Sequence, residues 1–282
     1  MKTVTGKTVL VTGAAMGLGK LFAQKAVGEN AAAVVLWDIN EGALKDTAAE
    51  LDEAGGGTVH TYVVDVSSAE AVAAAAVQVR EDAGAVEILF NNAGIVRGNG
   101  YFWETSSVRD IEQTMAINSL APMFIVREFL PGMIESDTDC RIVNIASSAG
   151  LLSNPRMAVY AASKWALVGW SDSVRLELEQ AGHKKIKVTT VCPTYINTGM
   201  FDGAKGILFT PMLKQQEVVD RAWKETLKGG PFLIIPWTSR VNKVLSGFLP
   251  IKVRDFYLDR AGVYHSMDEF TGHTKQIAST TR

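Results

Sequence analysis

Short runs of aliphatic and β-branched residues alternate along the chain with longer stretches in which apolar residues recur every three or four positions. The short runs predict seven strands, at residues 8–12, 33–37, 58–64, 88–90, 141–145, 187–191 and 232–235. The longer stretches predict helices at residues 17–28, 41–54, 69–83, 108–136, 157–181 and 215–228. Because the strands are continuously apolar and helices lie between them, the pattern predicts a doubly wound α/β fold with a mostly parallel sheet covered on both faces.

One domain accounts for this series of elements. No proline- or serine-rich linker, internal repeat or low-complexity tract interrupts the 282 residues. Folding of a 30.4 kDa chain buries roughly 73% of the surface of its extended form, so the core needs no disulfide support. We therefore expect a single domain over residues 1–282.

Charge and cysteine content narrow the classes of function. The 28 Lys and Arg residues balance 30 Asp and Glu residues, which offers no basic field for nucleic acid and favours a small-molecule partner. Cys140 and Cys192 lie far apart, without a CxxC pair or a histidine cluster, so we expect neither disulfides nor a metal site. The chain enters its first strand without room for a signal peptide, and no apolar run approaches the ~18 residues of a membrane span. These features predict a cytoplasmic protein without a transmembrane segment.

A glycine-rich turn, TGAAMGLG at residues 12–19, joins the first strand to the first helix. Gly13 permits the tight turn, Gly17 lets the backbone approach a pyrophosphate, and Gly19 allows close packing of the helix. The helix N-terminus then offers unpaired N–H groups to the anion. A purely structural turn uses the same glycines, so the motif alone leaves that interpretation open.

An acidic residue, Asp38, ends the second strand 19 residues after Gly19. A carboxylate at this place accepts hydrogen bonds from ribose hydroxyls and repels a 2′-phosphate. No Arg or Lys lies between Gly13 and Gly19 or directly after Asp38 to neutralise such a phosphate. The sequence therefore predicts NAD rather than NADP. The alternative is that Asp38 only caps the next helix.

Tyr160 and Lys164 stand four residues apart in a helical pattern, so their side chains share one face. A surface pair has the same spacing, and the spacing alone does not distinguish the two. Ser147 follows the predicted strand 141–145, at the carboxyl edge where open α/β sheets bind ligands. Asn118 lies within the predicted helix 108–136 beside it. These four residues are the candidate catalytic group.

The chemistry open to this group is proton transfer to and from an alcohol. An ammonium ~5 Å from a phenol, at an effective dielectric of 20, favours the phenolate by about 3.3 kcal/mol, and an oxidised nicotinamide adds positive charge. Tyr160 would take the hydroxyl proton while a hydride leaves the same carbon, and would act as the acid in the reverse direction. Ser147 would hold the substrate oxygen, and Asn118 would fix a water that relays the proton past Lys164.

These motifs, with Asp65-Val66, Asn91-Asn92-Ala93-Gly94 and the segment 193–198, follow the order found in short-chain dehydrogenases/reductases. The chain resembles that family over about residues 6–200, and the resemblance implies a Rossmann fold with a cofactor and catalytic core in this range. It also implies that Asn92 braces the fourth strand. Further cofactor contacts implied by the resemblance are Met16, Leu18, Ile39, Asp65, Val66, Ala93, Gly94, Pro193, Ile196 and Thr198. The chain departs from the family at Thr194, where Pro-Gly is usual after Cys192.

Within the family, the segments LWDIN, IASS and CPTYINTGMF resemble retinol and hydroxysteroid dehydrogenases, without a counterpart of the N-terminal membrane anchor of their vertebrate members. Residues 198–214 form an apolar stretch interrupted by glycines, which suits a lid over a hydrophobic ligand, although the same residues would also serve as ordinary core. We therefore expect a lipophilic alcohol or ketone as substrate. The candidate lid side chains are Met200, Phe201, Ile207, Leu208, Phe209 and Met212.

The C-terminal extension, residues 237–282, carries an apolar stripe at helical spacing, flanked by Lys and Arg. We expect the stripe to pack on its own subunit or on a partner in a homodimer or homotetramer, with contact to a membrane surface as the alternative. Two other functions remain open. One is a 3-oxoacyl thioester reductase, for which Lys205 and Lys214 are the nearby basic residues, and the other is a non-catalytic dinucleotide-binding regulator. The stripe consists of Val241, Val244, Leu245, Phe248 and Leu249.

Overall fold

A parallel sheet lies at the centre of the computed structural model, which describes residues 1–98, 100–105, 107–208 and 210–271. In this part of the chain the sheet has seven strands in the order β3-β2-β1-β4-β5-β6-β7, all parallel to their neighbours. The predicted α/β fold is confirmed. The strands are β1 (Thr8–Thr12), β2 (Ala33–Asp38), β3 (Thr58–Val63), β4 (Ile88–Asn91), β5 (Cys140–Ile145), β6 (Ile186–Pro193) and β7 (Phe232–Ile235).

Helices cover both faces of this sheet. On one face, rings stack in the series Phe22, Phe90 and Trp223, with centroids 4.5 and 5.5 Å apart. On the other face, Trp37 packs against Phe129 at 5.9 Å. The helices are α1 (Gly17–Gly28), α2 (Glu41–Ala54), α3 (Ala69–Asp82), α4 (Phe102–Thr105), α5 (Val108–Met115), α6 (Ala121–Ser136), α7 (Ala158–Gln180), α8 (Gln215–Lys228), α9 (Trp237–Phe248) and α10 (Ile251–Arg260).

The predicted helix 108–136 is interrupted by a π-helical turn, Ala116–Leu120, between α5 and α6. Pro122 has no N–H group, so it cannot make the ordinary α-helical hydrogen bond to the carbonyl of Asn118. The N–H of Ala121 instead donates to Ala116 O, five residues back. The prediction of one regular helix was therefore wrong at the residues that surround Asn118.

The order of the strands in the sheet changes direction at β1, because β2 and β3 lie on one side of β1 and β4 to β7 lie on the other. Ligands of open α/β sheets bind at such a switch point, beyond the carboxyl ends of the strands. Hydrogen bonds fix this edge across the strands: Asn91 Nδ2 donates to Asn144 Oδ1 (2.8 Å), and Asn144 Nδ2 donates to Ser171 Oγ on α7 (2.8 Å).

The C-terminal stripe does not pack on the core of its own subunit, contrary to that part of our expectation. On α9 the buried side chains are the polar Thr238, Ser239 and Asn242, whereas Val244 and Phe248 are 54% and 84% exposed. In the part of the chain that the structure describes, no helix is both long and apolar enough to cross a bilayer.

Candidate active site

The glycine-rich turn adopts a conformation that depends on its glycines. Gly13 and Gly17 have φ angles of +64° and +58°, which favour glycine. A Cβ atom at Gly19 would collide with the carbonyl oxygen of Gly13, so α1 can approach the turn only with glycine here. At Gly17, by contrast, a Cβ would meet nothing nearer than Gln215 Oε1 at 4.0 Å, which leaves open space beside the backbone.

The N-terminus of α1 is left open to an anion. Met16 precedes the helix with an extended backbone and makes no side-chain cap, and the first turn of α1, which includes Leu18, carries no acidic residue. Backbone N–H groups at such an end attract negative charge. Asn92 holds the turn from the neighbouring strand, because its Nδ2 donates to Thr12 O (3.0 Å) and Gly13 O (3.1 Å). These residues fit a pyrophosphate.

Asp38 lies beside this turn at the end of β2. Its Oδ2 accepts a hydrogen bond from Ala15 N (3.0 Å) and its Oδ1 accepts one from Asn40 N (2.9 Å). Asn40 provides the N-cap of α2, so the alternative reading of Asp38 as the helix cap is wrong. Ile39 is 67% exposed directly after Asp38.

The other predicted cofactor residues follow the carboxyl ends of their strands along the same edge. Asp65 and Val66 come just after β3, where Asp65 Oδ1 accepts from Ser67 N (2.9 Å). Ala93 and Gly94 follow β4, and the N–H of Ala93 donates to Thr12 Oγ1 (3.0 Å). The last group follows β6 and consists of Pro193, at its end, the buried Ile196, and Thr198, whose Oγ1 accepts from Met200 N.

Ser147, Tyr160 and Lys164 are buried together, with exposed fractions of 7%, 5% and 4%. Lys164 Nζ lies 5.8 Å from the centroid of the Tyr160 ring and donates a hydrogen bond to Ile145 O (3.0 Å). Ser147 Oγ accepts from Ala149 N (3.1 Å), which fixes the turn after β5. The interpretation of Tyr160 and Lys164 as a surface pair is therefore wrong.

Burial shifts the pKa values of this pair in opposite directions. Desolvation raises the pKa of Tyr160 to about 12, and a hydrogen bond with Ser147 offsets only part of that rise. Desolvation lowers the pKa of Lys164 to about 8. At neutral pH the protein alone therefore holds Tyr160 as a phenol and keeps most of Lys164 as an ammonium. Lys164 by itself does not bring the tyrosine pKa towards neutrality.

Asn118 is fully buried in the π-helical turn and binds the loop after β4. Its Oδ1 accepts from Ile95 N (2.8 Å), and its Nδ2 donates to Ile95 O (2.9 Å) and Ser163 Oγ (3.1 Å). A Cβ atom at Gly94 would lie 3.3 Å from Asn118 Oδ1 and 3.5 Å from Lys164 Nζ. The structure thus brings Asn118 and Lys164 to the same side of Gly94, with the asparagine side chain engaged in holding the loop.

A cleft that is open to solvent adjoins this cluster, and the space within it, including its open mouth, amounts to about 540 Å³. One wall carries a polar group that sequence reasoning missed: Asn154 Nδ2 donates to Tyr195 OH and Ser266 Oγ (both 3.1 Å), and these two hydroxyls are 2.7 Å apart. In the described chain, Asn154 Oδ1 and Thr194 Oγ1 are buried without a hydrogen-bond partner. The cleft is lined by Ser147, Ser148, Ala149, Leu152, Asn154, Met157, Thr194, Tyr195, Phe201, Ile207, Thr210, Ser239, Asn242 and Val263.

The predicted lid lies over one side of the cleft and is held by the C-terminal extension. Phe201 is buried against the edge of the Tyr160 ring, with centroids 6.1 Å apart, and Met200 packs in the same cluster. Lys205 N donates to Ser266 O (2.8 Å). Of the other candidates, Ile207 lines the cleft, Leu208 and Met212 are 59% and 45% exposed, and Phe209 lies outside the described residues.

The two basic residues considered for an acyl-carrier partner differ in their surroundings. Lys205 Nζ pairs with Glu269 Oε1 at 2.8 Å, so its charge is already compensated. Lys214 precedes α8 as its N-cap residue. This arrangement gives the thioester-reductase alternative no specific support.

The doubly wound sheet and the polar cluster at its carboxyl edge define a Rossmann-type oxidoreductase. Residues 7–205 match the family described as short chain dehydrogenase, and the chain belongs to this family. The family resemblance of the sequence is therefore confirmed.

Two human relatives are similar over most of their length. The chain is 36% identical to epidermal retinol dehydrogenase 2 of Homo sapiens over 278 residues, covering 98% of this chain and 89% of that protein. It is also 36% identical to estradiol 17-beta-dehydrogenase 11 of Homo sapiens over 249 residues, covering 88% of this chain and 81% of that protein.

Solved structures of similar fold hold either dinucleotide. A short chain dehydrogenase/reductase from Burkholderia phymatum in complex with NAD has a TM-score of 0.78 at 30% identity, covering 88% of this chain and 96% of that chain. A metagenomic short-chain oxidoreductase in complex with NADP has a TM-score of 0.69 at 28% identity, covering 82% of this chain and 96% of that chain. Related proteins thus bind NAD or NADP.

Proposed function

We propose that this protein interconverts a lipophilic alcohol and its ketone or aldehyde, with NAD as the coenzyme. The observation that carries the proposal is the joint burial of Ser147, Tyr160 and Lys164 beside an apolar cleft, at the same sheet edge as the glycine-rich turn. A regulator without catalysis would have no need to bury a lysine and a tyrosine at this cost in desolvation.

Each residue of the cluster has a separate role in this proposal. Tyr160 exchanges the proton of the substrate hydroxyl, and Ser147 holds the substrate oxygen by a hydrogen bond. Lys164 supplies a positive charge that favours the Tyr160 phenolate and so opposes the rise in its pKa caused by burial. Asn118 is a positioning residue that fixes the loop at Ile95, beside which a water relays the proton past Lys164. The nicotinamide, when bound, supplies the two-electron acceptor or donor for the hydride.

The coenzyme site follows from the open N-terminus of α1 and from Asp38. In this proposal the pyrophosphate lies on the turn, Asp38 accepts hydrogen bonds from the ribose, and the remaining residues hold the adenosine and nicotinamide ends. The residues proposed to contact the coenzyme are Gly13, Met16, Gly17, Leu18, Gly19, Asp38, Ile39, Asp65, Val66, Asn92, Ala93, Gly94, Tyr160, Lys164, Pro193, Ile196 and Thr198.

Replacement of Asp38 should reverse part of the coenzyme preference. In Asp38→Ser the ribose loses a charged acceptor, worth about 1.5–3 kcal/mol, and a 2′-phosphate loses a repelling charge. We expect the ratio of kcat/KM for NAD over NADP to fall about 100-fold. Asp46→Ser, on the exposed face of α2, is the matched control and should leave the ratio unchanged. A wild-type protein that prefers NADP would rule out the assignment.

The chemistry of the cleft supports an apolar substrate. Leu152, Met157, Phe201, Ile207 and Val263 line it, and the polar wall described above offers hydrogen bonds to a second oxygen of the ligand. In this proposal residues 198–214 act as a lid that excludes water from the reacting carbon. The names of the two human relatives, a retinol and an estradiol dehydrogenase, agree with a lipophilic alcohol.

An alcohol panel tests the substrate class. With NAD at saturation, retinoid, steroid and long-chain alcohols should give kcat/KM values at least 100-fold above those of small hydroxy acids, because each ~100 Å² of apolar substrate surface that is buried favours binding by about 2.5 kcal/mol. NADH formation followed by absorbance gives the comparison. Turnover confined to small, charged hydroxy acids would contradict the proposal.

Compartment and assembly belong to the same proposal. Cys140 and Cys192 are both buried as free thiols, which agrees with a reducing, cytoplasmic environment. We also propose that the chain forms a homodimer or homotetramer, as enzymes of this fold commonly do.

A further inference from the structure

Eight exposed apolar and aromatic side chains lie on the two C-terminal helices. Trp237, Val241, Val244 and Phe248 of α9 fall within an arc of about 60° on a helical wheel, and all four are exposed. On α10 the exposed apolar side chains are Ile251, Val253, Phe256 and Tyr257. We name these eight residues the α9–α10 surface. A soluble monomer rarely exposes so many large apolar side chains within so short a segment.

Positive charge accompanies this surface. Residues 237–260 contain five basic side chains, Arg240, Lys243, Lys252, Arg254 and Arg260, against Asp255 and Asp259, although the whole chain has a formal net charge of −2. Arg240, Lys243 and Lys252 make no ion pair with any described residue. Arg260 lies over the ring of Phe256 within the surface itself. Lys243 lies over Phe232 of β7 and Arg254 pairs with Asp255 at 2.8 Å, so Arg240, Lys252 and Arg260 are the basic groups that the surface offers.

We propose that the α9–α10 surface docks on an anionic lipid surface. Apolar and aromatic side chains beside Lys and Arg are the composition of helices that lie in the interface of a membrane without crossing it. The aromatic residues Trp237, Phe248 and Phe256 would enter the headgroup region, and the basic residues would contact phosphates. Tyr257 would stay at the border of the surface, because its hydroxyl donates to Asn242 Oδ1 on the cleft side of α9 (3.0 Å).

Other occupants of the surface agree less well with its chemistry. In a two-fold dimer through this face, the basic residues of one copy would lie near those of the other, which opposes association. The C-terminal residues 272–282 contain one large apolar side chain, Ile277, and two further basic residues, so their composition cannot cover eight apolar groups. An anionic lipid surface would cover the apolar side chains of the α9–α10 surface and would also provide negative charge for its basic side chains.

Docking here would bring lipid close to the cleft. The face of α9 opposite the apolar stripe contributes Ser239 and Asn242 to the cleft wall, and an α-helix is about 10 Å across with its side chains. A substrate dissolved in the lipid would then have only a short path to the cleft. This consequence rests on the proposed function, whereas the docking itself does not.

Vesicle binding by the full chain tests the proposal. Co-sedimentation should show binding to vesicles of phosphatidylcholine mixed with phosphatidylserine, at least tenfold weaker binding to pure phosphatidylcholine, and a loss of affinity as salt is added. Phe248→Ser/Phe256→Ser should weaken binding to the mixed vesicles at least tenfold, since it removes apolar burial. Arg240→Gln/Lys252→Gln should weaken it about 25-fold, at about fivefold for each charge removed.

Val77→Ser/Leu176→Ser provides the matched control, because it replaces two exposed apolar residues on α3 and α7 and should bind as the wild type does. Thermal unfolding and NAD binding in solution check the fold of every variant. The proposal is overturned if the wild type does not bind the mixed vesicles, or if both α9–α10 variants bind them with the affinity of the wild type. It is also overturned if the phenylalanine variant only converts a dimer to a monomer. NAD-dependent turnover in solution is measured separately, so a failure of docking leaves the proposed function standing.

Discussion

Tyr160→Phe should lower kcat about 1,000-fold or more while the protein stays folded and binds NAD. The substitution removes only the hydroxyl, and a positioned general acid or base contributes about 10² to 10⁴ in rate. The ring keeps its packing against Phe201 and Met157, so the core around it should not change. Steady-state kinetics with a lipophilic alcohol, together with NAD binding by fluorescence, measure the two effects separately.

Tyr195→Phe is the matched control for this variant. It removes the hydroxyl of a half-buried tyrosine from the same cleft, one that bonds Asn154 and Ser266. We expect KM to change by less than about tenfold, from the loss of one neutral hydrogen bond, with kcat retained. Equal losses of kcat in both variants would mean that Tyr160 acts through packing rather than as an acid and base.

The sheet and the order of the site loops could be predicted from the sequence because the signals are local. Parallel strands buried on both faces are continuously apolar, and α1 and α2 have the predicted bounds. Once the strands are known, the turn at Gly13, the carboxylate of Asp38 and the hydroxyl of Ser147 must all meet at the carboxyl edge. The same locality explains the prediction of a shared face for Tyr160 and Lys164.

The features that were missed depend on contacts between distant parts of the chain. Asn154 and Ser266 form a hydrogen bond although they are 112 residues apart in the sequence, and no local sequence pattern predicts this contact. The stripe on α9 was recognised by its period, but the period does not say which face meets the core. Burial of the polar Ser239 and Asn242 in the cleft wall decided the orientation and left Phe248 outside. The interruption of the helix near Asn118, by contrast, could have been predicted from the sequence, because Pro122 has no N–H group for the α-helical hydrogen bond.

The effect of burial and nearby charge on the pKa of Tyr160 also could not be predicted from the sequence. The spacing of Tyr160 and Lys164 suggested mutual stabilisation, but the extent of burial sets the pKa of Tyr160 at about 12 and that of Lys164 at about 8 in the protein alone. At 5.8 Å and an effective dielectric of 20, the ammonium favours the phenolate by about 3 kcal/mol, or about two pKa units. The value of about 12 already applies with Lys164 in place, so the reduction towards neutrality must come from the positive charge of the oxidised coenzyme.

Lys164→Met should therefore lower alcohol oxidation at pH 7 about 100-fold, and the loss should depend on pH. Phenolate is the active form in oxidation, so the rate rises with pH up to the pKa of Tyr160. Methionine has nearly the length of lysine without its charge, and removing the charge raises that pKa. Lys184→Met, at an exposed position outside the cleft, should behave as the wild type does.

The pH dependence of kcat/KM for alcohol oxidation, at saturating NAD and in the wild type and Lys164→Met, is the most direct measurement. The acidic limb of the wild-type profile should bend below about pH 8, where Lys164 is still an ammonium, and the limb of Lys164→Met should lie about two pH units higher. Coincident limbs in the two proteins would show that the ammonium does not govern the proton transfer at Tyr160.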